Sequence, residues 1–108
     1  MPDLEIQTSS RPGGIRVMSL RGPLTLNTLF EFQNLVRSEQ TGLIIDLGEV
    51  PYMDSAGLGA VLGALASCQR HGLKFALANV PERVLTLFRV SKVDSLLPQF
   101  MNVAAAEA

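Results

Sequence analysis

The sequence predicts an α/β domain built on a mixed sheet of four to five strands. Three observations predict it. Two short segments near the start alternate apolar and polar residues across a cluster of turn formers, as a hairpin does. From residue 26 onward, helical and strand periodicities alternate, the pattern of parallel pairing. Between them lies an almost unbroken apolar run, Leu43-Ile44-Ile45-Asp46-Leu47, suited to a strand covered on both sides. The 108 residues fit one domain, spanning 1–108.

Leu4–Thr8 is the first expected strand. Ser9-Ser10-Arg11-Pro12-Gly13-Gly14 reads as a long turn-rich loop. Ile15–Leu20 returns, with Ile15, Val17 and Ser19 on one face and Arg16, Met18 and Leu20 on the other; Gly22-Pro23 ends it. Leu26, Leu29, Phe30, Phe32 and Val36 recur at helical spacing, so a helix is expected over Leu26–Val36, capped by Thr25 or Asn27. After Gln40-Thr41-Gly42 comes the central strand. A second helix is expected from Ser55 to His71, with Gly72 just beyond its end. Lys74–Ala78 is a strand, Pro81-Glu82 opens a helix over Val84–Phe88, and Ser91–Ser95 connects onward. Leu96–Met101 reads as a last strand, which Pro98 confines to a sheet edge. Asn102 caps a final helix, Val103–Glu107.

Apolar residues make up 47% of the chain and charged residues 18%, enough for a real core. The net charge is −1 and no Lys/Arg cluster occurs, which argues against nucleic acid as a partner. The longest uncharged run, Ser55–Gln69, is shorter than the roughly 18–20 apolar residues of a membrane span. Asp3 and Glu5 interrupt any signal-like start, so a cytoplasmic protein without membrane insertion is expected. One histidine and one cysteine make no metal-ligand set, and Gly57–Gly63 lacks the Lys of a phosphate-binding loop, so no cofactor is expected.

The second helix is unusual. Leu58, Val61, Leu62 and Leu65 form an apolar stripe that must face the sheet. Between Asp54 and Arg70 there is no charge, and Gly57, Gly59 and Gly63 fall in its first half. Each glycine costs a helix about 0.8–1.0 kcal/mol relative to alanine. Two reasons are available: close packing against neighbouring elements, or close approach of a partner's backbone. They can hold on different sides of the helix.

Asp54 and Ser55 open this helix. Either can act as its N-cap. Alternatively Ser55 is a phosphorylation site, where a phosphate adds about −1.5 to −2 charge beside Asp54. Catalysis by Ser55 is disfavoured: no nucleophile-elbow glycines flank it, and His71 lies roughly 24 Å away along the helix. No enzymatic activity is expected. Tyr52 and Met53 precede the pair on a loop and are expected to be exposed partner anchors. Asp46 ties down the strand end or contributes to the phosphosite. Cys68 and His71 read as structural.

Asp46-Leu47 followed by Met53-Asp54-Ser55-Ala56-Gly57-Leu58-Gly59 resembles the signature of the STAS domain family, and within it the bacterial anti-sigma factor antagonists. The resemblance runs from the N-terminal hairpin through Gly22-Pro23-Leu24, Leu73–Ala78 and Val84–Val90 to Leu96–Ala106. It implies a STAS-type single domain, with helices mainly on one face of the sheet. It also implies a partner anti-sigma factor that is itself a serine kinase, which phosphorylates Ser55 and so releases the domain, and a serine phosphatase that resets it. The implied docking residues are Asp54, Ala56, Gly57 and Leu58, with Tyr52, Met53 and Thr25 beside them. Thr25 departs from the family pattern, which often has a carboxylate there. The alternative is a constitutive STAS module, a scaffold or a subunit of a larger complex such as a lipid transporter, with Ser55 only a cap.

Overall fold

The computed structural model describes residues 3–108. Strands β1 (Glu5–Arg11) and β2 (Ile15–Arg21) form the antiparallel hairpin, from Glu5 opposite Arg21 to Arg11 opposite Ile15. Strands β3 (Gly42–Glu49), β4 (Phe75–Ala78) and β5 (Gln99–Phe100) then add in parallel, giving one sheet in the order β1-β2-β3-β4-β5.

Helices α1 (Leu29–Ser38), α2 (Ser55–Arg70) and α3 (Glu82–Val90) connect successive parallel strands. Each crossover moves one place in the same direction across the sheet. Crossovers of this kind are almost always right-handed, so all three helices are directed to the same face. The large core lies there: Met18, Leu20, Ile45 and Leu77 from the sheet meet Phe32, Val61, Leu65 and Phe88 from the helices. The opposite face carries Val17, Ile44, Ala76 and Ala78, and α4 (Val103–Glu107) covers it through Ala106. The alternation expected for Ile15–Leu20 assigns these faces correctly. Asn102 caps α4 as expected, its Oδ1 accepting from the Ala105 amide at 2.8 Å.

Several boundaries differ from expectation. The hairpin loop is short: Ser9, Ser10 and Arg11 pair with β2, and the turn is confined to 12–14, where Gly13 and Gly14 take φ of 85° and 73°. Polar residues suit β1 because it is an exposed edge. Helix α1 starts at Leu29 rather than Leu26, because a turn over Thr25–Thr28 precedes it; Leu26 and Phe30 are 59% and 60% exposed, not core. Helix α3 extends to Glu82–Val90 with Pro81 at its N-cap. The last strand shrinks to Gln99–Phe100, after a 3₁₀ turn over Asp94–Leu96. It is an edge strand as Pro98 requires, with the Pro98 carbonyl accepting from Leu77 N–H at 2.8 Å.

The face shared by Met18 and Leu20 also carries a charge into the core. Arg16, 3% exposed, points from β2 to the end of α1. Its guanidinium donates to the Leu35 carbonyl at 2.8 Å, the Glu39 carbonyl at 3.2 Å and Thr41 Oγ1 at 2.8 Å. It thus supplies donors to carbonyls that a helix end leaves unpaired.

Candidate interaction site at the start of α2

The site lies where β2 and β3 hand the chain to their helices, at the carboxyl ends of parallel strands. Two loops are zipped together there. Leu24 N–H donates to the Tyr52 carbonyl at 3.0 Å, and Asp54 N–H donates to the Leu24 carbonyl at 3.3 Å. Leu24 and Met53 form an isolated parallel bridge.

Asp54 completes the junction. Its Oδ1 accepts from Gly57 N–H at 2.8 Å, which makes Asp54 the N-cap of α2. Its Oδ2 accepts from Leu26 N–H at 3.1 Å, on the other loop. One carboxylate therefore starts a helix and anchors a neighbouring turn. Thr25 belongs to that turn: its N–H donates to Thr28 Oγ1 at 2.9 Å, and its carbonyl accepts from Leu29 N–H at 2.9 Å.

Capping by Asp54 leaves Ser55 without that task. Ser55 is the first residue of α2, exposed, and its hydroxyl has no hydrogen-bond partner among the described residues.

The three helix glycines divide into two kinds. A Cβ on Gly57 would collide with the Leu24 carbonyl, so Gly57 lets α2 sit against the β2–α1 loop. A Cβ on Gly59 or Gly63 would meet nothing within 4 Å. Close packing thus accounts for Gly57, whereas no neighbouring atom within the domain requires glycine at Gly59 or Gly63. Ser55, Gly59, Gly63 and Ala66 form an exposed stripe of small, uncharged residues, at the spacing of one helical face.

Burial corrects part of the expected contact set. Met53 is 4% and Leu58 5% exposed, and Gly57 is buried as well. The bridge to Leu24 draws Met53 inward, and Leu58 lies on the sheet-facing side of α2. These three build the site from beneath. Tyr52, 48% exposed, reaches the surface as expected; Ala56 and Asp54 are half-buried. Leu26, expected to begin the first helix, lies before it and is exposed beside Asp54 instead.

Asp46 has a structural task. Its Oδ1 accepts from Gly48 N–H at 2.9 Å and from Asn79 Nδ2 at 3.1 Å, tying the end of β3 to the end of β4. Cys68 is buried, and burial pushes its thiol pKa up, against weaker opposing pulls from Arg16 and a backbone hydrogen bond to Leu43. His71 caps the end of α2 and is exposed, its ring Nδ1 2.9 Å from the Ser67 carbonyl. Among the described residues no cluster of His, Cys, Asp and Glu is arranged to hold a metal. No helix among them is long and apolar enough to cross a membrane.

The STAS domain model matches residues 6–106. This chain belongs to the STAS domain family. The anti-sigma-B factor antagonist of Listeria monocytogenes is 36% identical over 55 residues, which is 51% of this chain and 48% of that protein. The chain thus matches about half the length of this curated relative. The STAS fold recurs in a Thermotoga maritima crystal structure with a TM-score of 0.84, at 18% identity over 94% of this chain and 91% of that one. It recurs too in the Bacillus cell fate determinant SpoIIAA, solved in its phosphorylated form, with a TM-score of 0.75 at 18% identity over 95% and 97% of the two chains.

Proposed function

We propose that this STAS domain is an anti-sigma factor antagonist working in the cytoplasm. It binds an anti-sigma factor that is a serine kinase; phosphorylation of Ser55 releases it, and a serine phosphatase resets it. The observation that carries this reading is the division of labour between Asp54 and Ser55. Asp54 caps α2, so the Ser55 hydroxyl is exposed and uncommitted. Curated relatives that bear the name of anti-sigma-B factor antagonist support the same reading.

The docking surface is the exposed stripe of α2, from Ser55 through Gly59 and Gly63, with Ala56 beside it and Tyr52 and Leu26 at its upper end. Small side chains let a partner's backbone approach, and the absence of charge before Arg70 lowers the cost of drying the surface. Met53, Gly57 and Leu58 hold this surface in shape, and Thr25 fixes the turn that presents Leu26. A phosphate on Ser55 places about −1.5 to −2 charge in the interface. Misplaced charge there costs several kcal/mol, and each 1.4 kcal/mol is tenfold in affinity. The domain works by binding and is not itself a catalyst.

Intact-mass spectrometry of the protein purified from its own cells, with the site mapped by fragmentation, tests this. A single phosphate on Ser55 is expected. Its absence under every growth condition would overturn the switch and leave a constitutive binding module.

A further inference from the structure

We propose that Arg83 is the internal counter-ion of the switch: when Ser55 carries a phosphoryl group, Arg83 pairs with it across the hollow between α2 and α3. This rests on the reading of Ser55 as a phosphorylated residue, and goes beyond it by naming what holds the phosphate.

Ser55 and Arg83 line the same open hollow, of ≈ 370 Å³, together with Tyr52, Asp54, Leu87 and Val90. Its charged groups are Asp54 and Arg83, and Tyr52 adds a phenol. Among the described residues, Arg83 is the one cation that lines the hollow. It is exposed and makes no ion pair or side-chain hydrogen bond among the described residues. The carboxylates nearby are otherwise engaged. Glu82 pairs with Arg89 at 3.2 Å, and Asp54 commits its two oxygens to the amides of Gly57 and Leu26.

Arg83 also stands at an electrostatically unfavourable place. It lies in the first turn of α3, where the helix dipole favours an anion over a cation. An unpaired cation there gains more than usual from a phosphate, and an arginine fork suits phosphate oxygens. The Ser55 hydroxyl is free to carry that phosphate into the hollow. Drawn toward Arg83, the phosphate overlies the hollow between Tyr52 and Val90, which are 48% and 75% exposed. Modification then masks apolar surface as well as adding charge.

The test needs no kinase. Phosphoserine is incorporated at position 55 by genetic encoding, and the second ionisation of the phosphate is followed by ³¹P NMR against pH. A nearby cation favours the dianion, so the wild-type midpoint is expected about 0.5 pH unit below that of Arg83→Gln. Arg70→Gln, at the far end of α2, should leave the midpoint at its wild-type position, and Arg83→Lys should fall between wild type and Arg83→Gln. Equal midpoints in wild type and Arg83→Gln, or an equal rise in Arg70→Gln, would overturn the pairing. Should Arg83→Gln misfold, Arg83→Met, which keeps the aliphatic stem without the charge, decides in the same way against wild type. Native protein that never carries phosphate would defeat the switch itself, and leaves this measurement on the encoded phosphoprotein independent.

Discussion

The Asp54 carboxylate and the Leu26 amide, 3.1 Å apart, join two loops that are 28 residues apart in sequence. The same carboxylate caps α2 through Gly57. The shape of the candidate docking surface therefore depends on a residue that is itself half-buried behind it.

Asp54→Ala should lose both bonds and cost about 1–2 kcal/mol of stability. Asp54→Asn keeps an oxygen for one of the two amides and should cost less. Urea denaturation measures both. In the alanine variant the Leu26 amide resonance should shift and exchange faster with solvent. A protected Leu26 amide in that variant would show that the backbone zipper alone holds the loops.

The glycines of α2 should respond with opposite signs. Gly57→Ala meets the Leu24 carbonyl and should destabilise by about 1–3 kcal/mol. Gly59→Ala and Gly63→Ala enter open space and should stabilise by roughly 0.5–1 kcal/mol each. If these two also weaken partner binding, the glycines serve the interface at the expense of the helix. Paired thermal melts and binding titrations separate the two effects.

Substitution at Ser55 should barely change stability. Its hydroxyl has no partner among the described residues, so Ser55→Ala should stay within about ±0.5 kcal/mol of wild type. On the proposed function, binding should behave otherwise: intact in Ser55→Ala and weakened tenfold or more in Ser55→Asp, by calorimetry against the proposed anti-sigma factor partner. Equal affinity of the two variants would remove the electrostatic basis of the switch.

Arg16→Ala should be severely destabilising, by about 2–4 kcal/mol, since it opens a cavity and strips donors from the end of α1. Arg16→Lys should recover only part of this loss, because an ammonium cannot copy the fork that spans Leu35, Glu39 and Thr41. Chemical denaturation gives both values.

Cys68 should react with a thiol reagent only as fast as the protein opens. Its thiol pKa is raised in the folded state, so the unfolded chain loses that proton first as pH rises. The contribution is fully present below about pH 8.5 and falls away above it, as pH climbs toward the folded value. Denaturation of wild type and Cys68→Ala at pH 7 and pH 10 should show a steeper loss in wild type.

Local signals were the legible ones. The apolar run of β3, the cap at Asn102 and the Asp54-Ser55 start of α2 each declare themselves within a few residues. Gly72 likewise marks the end of α2, with Leu73 N–H reaching back to the Cys68 carbonyl at 2.8 Å. What stayed hidden depends on contacts distant in sequence. The Leu24–Met53 bridge turns Met53 inward, and the anchored turn at Thr25–Thr28 pushes Leu26 out of the helix that its spacing predicts. Nothing in composition distinguishes Gly57, pressed on a carbonyl, from Gly59, facing open space. The hairpin differs from expectation for a related reason: Ser9 and Ser10 have turn chemistry, but pairing with Val17 and Arg16 outweighs it.

The sheet order β1-β2-β3-β4-β5 repeats the order of the chain. Each strand finds its neighbour in the segment made just before it, and never waits for one made later. Emerging from the ribosome, this domain can be laid down strand upon strand, each new one docking on the edge last exposed. Helix α4 reaches back over earlier strands, to Ile44 and Ala76. The second face is therefore closed only once α4, which follows all five strands in the chain, has been made, and until then that face stays open to solvent.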